Sequence, residues 1–143
     1  MSYINCTLDM RQVAFLGDEI SECHLGIFAD SNFAERADSK STSGGFLAFC
    51  GPYSFFPLAK FSRKQGSAAN STPEAELVAM NEVVRTEAIP MLGLVETTTD
   101  GTTIKATVYE DNQATARIVK TGKFRTMSHV KRVHGCKLSL LND

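Results

Sequence analysis

The stretch STPEAELVAM, residues 71–80, predicts the start of a helix, and this helix constrains how the rest of the chain can be arranged. Ser71 can cap the helix, Pro73 suits its first turn, and Ser71 with Glu74 matches the S-x-x-E capping box. Apolar residues then recur at helical spacing, at Leu77, Met80, Val84 and Ala88. We expect Pro90 to break or kink this helix.

Strand patterns lie on both sides of the helix. Before it, alternation or aromatic enrichment predicts strands over 24–33, 45–50 and 53–61, with Gly51-Pro52 turning between the last two. Pro57 restricts its strand to a sheet edge or a bulge. After it, we expect a short helix over 91–96, a strand over 104–110, and helices over 111–120 and 129–143. This order predicts the α/β class, with a mixed β-sheet flanked by α-helices.

The two glutamates of the opening stretch have different surroundings. Glu74 has a capping role, whereas Glu76 lies on the same side of the helix as Met80 and Val83, beside the core-facing stripe. An acid is costly to bury there unless a partner such as a metal ion neutralises it. The alternative is a Glu76 carboxylate that reaches solvent from the edge of the stripe.

Three acids stand at the ends or edges of predicted elements, namely Asp30, Glu76 and Asp111. If the first and last strands are parallel neighbours, Asp30 and Asp111 emerge side by side, and the helix carrying Glu76 can cross above them. Carboxylates gathered in this way favour Mg²⁺ or Mn²⁺. The alternatives are a turn-forming Asp30 and an Asp111 that only caps a helix.

The charge of the chain is unevenly distributed. Its net charge is only −1, yet no Asp or Glu occurs from 112 to 142. That segment holds seven of the fifteen basic residues: Arg117, Lys120, Lys123, Arg125, Lys131, Arg132 and Lys137. Such a segment is either a surface for a polyanion or a solvated basic face.

Composition and motif absences narrow the function classes. A chain of 143 residues with 43% hydrophobic content predicts one globular domain, and it contains neither a membrane-length apolar run nor a secretory signal. Its four scattered cysteines predict reduced thiols in an intracellular protein. The absence of GxxxxGK[ST], GxGxxG, HExxH and GxSxG gives no support to phosphate-loop ATPases, dinucleotide enzymes, zincins or serine hydrolases.

Three segments, taken in order, resemble the ribonuclease H domain of copia-type LTR retrotransposon polyproteins. They are FADSNFAERADSKSTSGGFLAF, PLAKFSRKQGSAANSTPEAELVAM and VYEDNQATARI, within about residues 24–134. The resemblance implies an RNase H-like fold and metal-dependent hydrolysis of the RNA strand of RNA–DNA hybrids. It also implies an upstream reverse transcriptase region and a location in the cytoplasm, including virus-like particles, or in the nucleus.

The resemblance assigns roles to individual residues. The metal-binding and catalytic acids of the family fall on Asp30, Glu76 and Asp111, with Mg²⁺ or Mn²⁺ as the cofactor. Glu76-Leu77-Val78-Ala79 fits the pattern around the family glutamate, and Glu74 does not. The residues expected to contact the hybrid are Lys40, Ser41, Arg63, Lys64, Thr72, Asn112, Gln113 and Arg117.

The chain also departs from the family pattern. The family continues into a last strand and a final helix that carries a fourth carboxylate, and Asp143 stands in the wrong context for that role. The resemblance therefore implies a lead-in over 1–22 and a domain over 23–143 that is truncated at its C-terminus. Three functions stay open: hydrolysis of the hybrid, a catalytically inactive remnant that only binds nucleic acid, and a helix–sheet domain with an interaction role.

Overall fold

The computed structural model describes residues 5–33 and 40–121, which form a mixed β-sheet with helices packed on it. After a 3₁₀ turn at Ile20–Glu22, the elements in chain order are β1 (His24–Asn32), β2 (Thr42–Cys50), β3 (Phe55–Lys64), α1 (Thr72–Val83), α2 (Ile89–Thr98), β4 (Lys105–Tyr109) and α3 (Gln113–Thr121). The predicted α/β class and the predicted order of these elements are confirmed.

The described strands are arranged in the order β3-β2-β1-β4. β2 pairs antiparallel with both β1 and β3, whereas β1 and β4 run parallel. Several predicted boundaries were wrong, most of all at the polar strand ends: β2 begins at Thr42, inside the predicted loop, and β3 runs on to Lys64. These polar ends are in strand conformation because Thr42 pairs with both Asn32 and Lys64, which extends the three-stranded ladder.

Pro57 lies where the sequence placed it, at a bulge in an edge strand of the described sheet. The register between β2 and β3 shifts at Leu47/Ala48, and Ala48 pairs with Pro57. A proline cannot donate to a ladder, so a bulge on an edge strand is a position where it costs little. The prediction for Pro57 is confirmed.

The helix α1 packs against one face of the sheet. Its core-facing side chains Met80 and Val83 meet Leu25, Ile27 and Leu47 of the strands. Gly45 allows this close approach, because a Cβ at that position would overlap the side chains of Phe61 and Val83. The hydrophobic core therefore lies between α1 and the face of β1 that carries Leu25 and Ile27.

The helix does not end at Pro90. Between α1 and α2 the chain makes one π-helical turn, Val84–Ala88, in which the N–H of Ile89 donates to the carbonyl of Val84. Pro90 then lies in the first turn of α2, where a missing N–H is tolerated. The expected disturbance is present, but the wider turn just before the proline absorbs it without ending the helix.

A second apolar cluster joins the sheet to the segment before β1. Cys23, Phe49, Val95 and Ile104 are buried in it, with Leu16 and Ile20 packed alongside. The predicted lead-in is also hydrogen-bonded to the β2–β3 region, since the amide of Gly17 donates to Ser54 Oγ at 3.1 Å. Whether 1–22 is a lead-in from a larger polyprotein stays a prediction.

Several predictions fall wholly or partly outside the described residues. They concern part of the loop before β2, the basic loop after α3, the helix over 129–143 and most of the acid-free basic segment. Among residues 5–33 and 40–121, no helix has both the length and the apolar character needed to cross a bilayer. The cysteines within those ranges, Cys6, Cys23 and Cys50, are free thiols, as the sequence predicted.

Candidate carboxylate site

Asp30 and Asp111 lie at the same end of two neighbouring strands. β1 and β4 are parallel, and Phe28 of β1 pairs with Tyr109 of β4. Each aspartate follows its member of that pair by two residues, and both aspartates are exposed. The parallel pairing on which the sequence prediction depended is therefore present.

Glu76 occupies the second turn of α1 and is only 5% exposed. Its Oε2 atom is buried and has no hydrogen-bond partner among the described residues. The alternative of a carboxylate reaching solvent from the helix edge is therefore wrong. An ionised carboxylate held in this way is costly, because burial removes its hydration and nothing replaces it.

Glu110 is a fourth acid of this site, and it was not among the residues predicted from the sequence. It directly follows β4, and its Oε1 atom accepts a hydrogen bond from the amide of Asn112 at 3.0 Å. Its Oε2 atom is buried without a partner among the described residues. Strand alternation was the available signal, because Glu110 follows Val108 by two residues and Val108 packs against the core.

The charges of these acids act on one another. The pKa of Glu76 is raised from 4.5 to about 7, first by burial, then by the negative charges of Glu110 and Asp30, and least by that of Asp111. The Ser31 hydroxyl is near enough to favour the ionised form of Glu76, although it makes no hydrogen bond of good geometry within the described residues. Glu76 is therefore poised between its charged and neutral forms near neutral pH.

The pKa of Glu110 is also raised. Burial is the largest cause, the charges of Asp111 and Asp30 add to it, and the hydrogen bond from the amide of Asn112 works in the opposite direction. Four carboxyl groups from β1, α1 and the end of β4 are thus close enough to repel one another. A set of carboxyl groups this close together is stabilised when its members share a proton or a cation.

Asn112, and not Asp111, caps α3. Its Oδ1 atom accepts hydrogen bonds from the amides of Ala114 and Thr115, at 3.0 and 3.2 Å. The alternative in which Asp111 only caps a helix is therefore wrong. Asp111 stands one residue before the cap, exposed at the end of β4.

Glu74 has the local role that the sequence predicted. Its amide donates to Ser71 Oγ at 3.3 Å, and its Oε2 atom accepts from the amide of Asn70 at 3.0 Å. The Glu74 side chain thus accepts from the amide of Asn70, one residue before Ser71, whose amide is the donor in a standard capping box. Glu74 is engaged at the helix start, and Glu76, two residues later, lies among the other acids.

The donor set of the site suits a hard divalent cation, although the ligands are not gathered into a complete shell. In the part of the chain that the structure describes, no three His, Cys, Asp or Glu side chains are arranged so as to hold a metal ion. All four side chains nevertheless offer carboxylate oxygens, the ligands that Mg²⁺ and Mn²⁺ prefer. The buried oxygens of Glu76 and Glu110, which have no hydrogen-bond partner among the described residues, fit such an ion.

Three of the residues expected to contact a hybrid already have structural roles. Ser41 is fully buried, and its carbonyl accepts from the amide of Gln65 at 2.9 Å, so its side chain offers no surface to a substrate. Arg63 forms ion pairs with Glu82 and Glu87, at 3.7 and 3.3 Å. The Asn112 side chain caps α3, as described above.

The other residues expected to contact a hybrid are more accessible. Lys40 is half-buried just before β2, and Lys64 is exposed at the end of β3. Thr72 begins α1, and Gln113 and Arg117 lie on α3, all three exposed. Gln113 is the first residue of the helix that follows Asp111, and Arg117 lies one turn further along it.

Comparison with known protein families, with curated proteins and with solved structures found no match to this chain.

Proposed function

We propose that this chain is an RNase H-like domain of a retrotransposon polyprotein that hydrolyses the RNA strand of RNA–DNA hybrids with divalent cations. The observation that carries the proposal is the buried carboxyl group of Glu76. It has an unpartnered oxygen and lies within reach of the charges of Asp30, Glu110 and Asp111. The ordered motif resemblance between residues 24 and 134 supports the same reaction.

The electrostatics of the site support a cation as its missing component. Burial raises the pKa of both Glu76 and Glu110 and so disfavours their ionised forms, and the charge of Glu110 raises the pKa of Glu76 further. A divalent cation removes both penalties, because it replaces the lost hydration and neutralises the charges. When bound, such ions activate a water molecule and stabilise the leaving oxygen in phosphodiester hydrolysis.

Different residues of the chain contribute to different parts of this reaction. Glu76 is held in the second turn of a capped helix, so its carboxylate is positioned before any substrate arrives. Asp30 and Asp111 are exposed at the ends of parallel strands, where a phosphate of the substrate can approach them. Asn112 fixes the start of α3 directly after Asp111 and so limits the movement of that end of β4.

The accessible polar residues near the site suit the substrate. Lysine and arginine side chains bind phosphates, and polar contacts to the 2′-hydroxyl distinguish an RNA strand from a DNA strand. Lys64, Gln113 and Arg117 are exposed, and Lys40 is half-buried. Affinity for a hybrid is therefore expected to fall steeply with salt.

One observation favours a second candidate, a domain that binds nucleic acid without cleaving it. Within the described ranges, no three potential ligands are arranged to hold a metal ion. Cleavage thus requires the exposed Asp30 and Asp111 side chains to close around an ion, whereas binding does not. The two candidates differ in whether a cation binds at Glu76.

Binding of Mn²⁺ tests the proposal independently of catalysis. Free Mn²⁺ is measured by electron paramagnetic resonance during titration of the wild-type chain, of Glu76→Gln and of Asp30→Asn. Glu96→Gln, on α2 and outside the carboxylate group, is the matched control. We expect loss of high-affinity binding in the first two variants and none in the control, and equal affinity in all four proteins contradicts the proposal.

A further inference from the structure

The face of the sheet opposite α1 carries a row of aromatic side chains. Core-facing residues of β1, such as Leu25 and Ile27, alternate with residues that point to the other side. The strand register places one or more aromatic residues of every strand on this other face: Phe28 in β1, Phe46 in β2, Phe55 in β3 and Tyr109 in β4.

The rings contact one another across the strands. Phe28 stacks on Tyr109 with centroids 4.7 Å apart, and Phe46 stacks on Phe55 with centroids 6.1 Å apart. Phe28 and Phe46 join the two pairs at 5.9 Å. Phe55 is 57% exposed and Tyr109 43% exposed, so both ends of the row are open to solvent. Large exposed aromatic residues in a continuous row commonly mark a binding surface.

Lysines share this face with the rings. Lys60 pairs with Phe46 and Lys105 with His24, so both point to the aromatic side, and both are exposed. Lys64 pairs with Thr42, which lies on the aromatic side of β2, so Lys64 lies on that side as well. Among the described strands, Asp30 is the acid on this face, at the end nearest the carboxylate site. Asp30 and the exposed Asp111 lie at one end of the strands, whereas Lys60 and Lys105 lie away from that end and make the rest of the described face complementary to a polyanion.

We propose that this aromatic face binds single-stranded nucleic acid. Unpaired bases stack on exposed rings such as Phe55 and Tyr109, while Lys60 and Lys105 contact the phosphates. Aromatic rings beside basic side chains on an open sheet are suited to single strands, whose bases are free to stack. In a duplex the base faces are stacked on neighbouring base pairs, so they are not available to stack on the rings.

The rings of the aromatic face take no part in the proposed nuclease function, although Asp30 and Lys64 are common to the two proposals. The face lies on the side of the sheet away from Glu76, and it needs no divalent cation. The test is therefore carried out in a chelating buffer, where any contribution from cations at the carboxylate site is removed. Failure of the strand-binding proposal and failure of the nuclease proposal can thus be told apart.

Tyrosine emission reports stacking directly, because the chain has three tyrosines and no tryptophan. A variant with Tyr3→Phe and Tyr53→Phe emits only from Tyr109. Titration with a single-stranded oligothymidylate of about 12 nucleotides, within the usual site size, should quench this emission in a saturable manner. The same strand annealed to its complement should quench it weakly. Absence of quenching by the single strand overturns the proposal.

Matched substitutions test the surface itself. Phe55→Ala and Lys60→Gln should each weaken binding of the oligothymidylate, with about a tenfold loss for the aromatic change. Tyr53→Ala removes a more exposed ring outside the strands, and Arg85→Gln removes a cation on the helical side, and both should leave affinity unchanged. Equal losses in all four variants contradict the proposal. So does a Phe55-dependent dimer in sedimentation that binds no oligonucleotide, because the face then binds a second copy of the chain.

Discussion

Among the charged groups around Glu76, Glu110 raises the pKa of that carboxyl group the most. The two residues come from different elements, one from α1 and the other from the end of β4, and each has a buried oxygen without a hydrogen-bond partner in the described part of the chain. The two carboxylates therefore repel each other inside the fold, and a bound proton or cation reduces that repulsion.

The first prediction concerns stability and pH. Glu76 has a higher pKa in the folded chain, about 7 against 4.5, so the native state holds more protons between these values. The resulting stabilisation is complete below about pH 4.5 and is lost as the pH rises through about 7. The free energy of unfolding, measured with urea, should fall over this range by up to about 3 kcal/mol.

Two variants control this pH dependence. Glu76→Gln places a neutral amide at the site and should make the slope shallower, and Glu76→Gln with Glu110→Gln should flatten it further. Gly66→Ala removes no titratable group and meets no neighbour within 4 Å, so it should leave the slope as it is in the wild type. A wild-type stability that rises from pH 4.5 to 7 means that the two glutamates do not hold protons in the folded chain.

A second prediction links cation binding to the same protons. Below about pH 7 a cation must displace the proton of Glu76, so its apparent affinity should drop by about tenfold for each pH unit. Calorimetric titration with Mn²⁺ in two buffers of different ionisation enthalpy measures both the affinity and the released proton. An affinity that does not change with pH argues that the ion binds away from Glu76.

A third prediction concerns the closeness of α1 to the sheet. Gly45→Ala should destabilise the fold by about 1–3 kcal/mol, because the added Cβ meets Phe61 and Val83 in a packed region. Gly66→Ala is the matched control, since a Cβ there has nothing within 4 Å. Urea denaturation of both variants should show a lower midpoint for the first and little change for the second.

A fourth prediction separates the helix cap from the site. Ser71→Ala removes the acceptor for the amide of Glu74 and should cost about 1 kcal/mol of stability. Mn²⁺ affinity should be unchanged, because Glu76 keeps its place one turn further along. Ser67→Ala, in the loop before the helix, is the control for stability. A loss of Mn²⁺ affinity in Ser71→Ala as large as that in Glu76→Gln contradicts this separation.

Local signals accounted for much of the fold. The cap at Ser71, the strand alternation in β1 and the bulge at Pro57 each depend on neighbouring residues, and each is found where the sequence placed it. The extension of β3 to Lys64 was missed, because pairing with β2 decides it and the polar residues of SRK carry no strand pattern. A helical segment after Pro90 was predicted, whereas the π turn that joins it to α1 was not, because no local residue pattern indicates such a turn.

The candidate site was predictable only in part. Strand ends and the helix face indicated Asp30, Glu76 and Asp111, since these positions follow from periodicity and from parallel pairing. Glu110 was not predicted because it directly precedes Asp111, which matched the expected position, and because its burial is not apparent from the sequence. Asn112 was taken for a substrate contact, although its side chain caps α3.

Cleavage of a labelled RNA–DNA hybrid tests the central claim most directly. The purified chain is incubated with the hybrid in Mn²⁺ or Mg²⁺, alongside Glu76→Gln, Asp111→Asn and the control Glu96→Gln, and the products are separated on a denaturing gel. We predict cation-dependent cleavage of the RNA strand by the wild type and the control, and a loss of about a hundredfold or more in the other two variants. Cleavage that persists at the wild-type rate in Glu76→Gln, or hybrid binding by the wild type without any cleavage, contradicts the account.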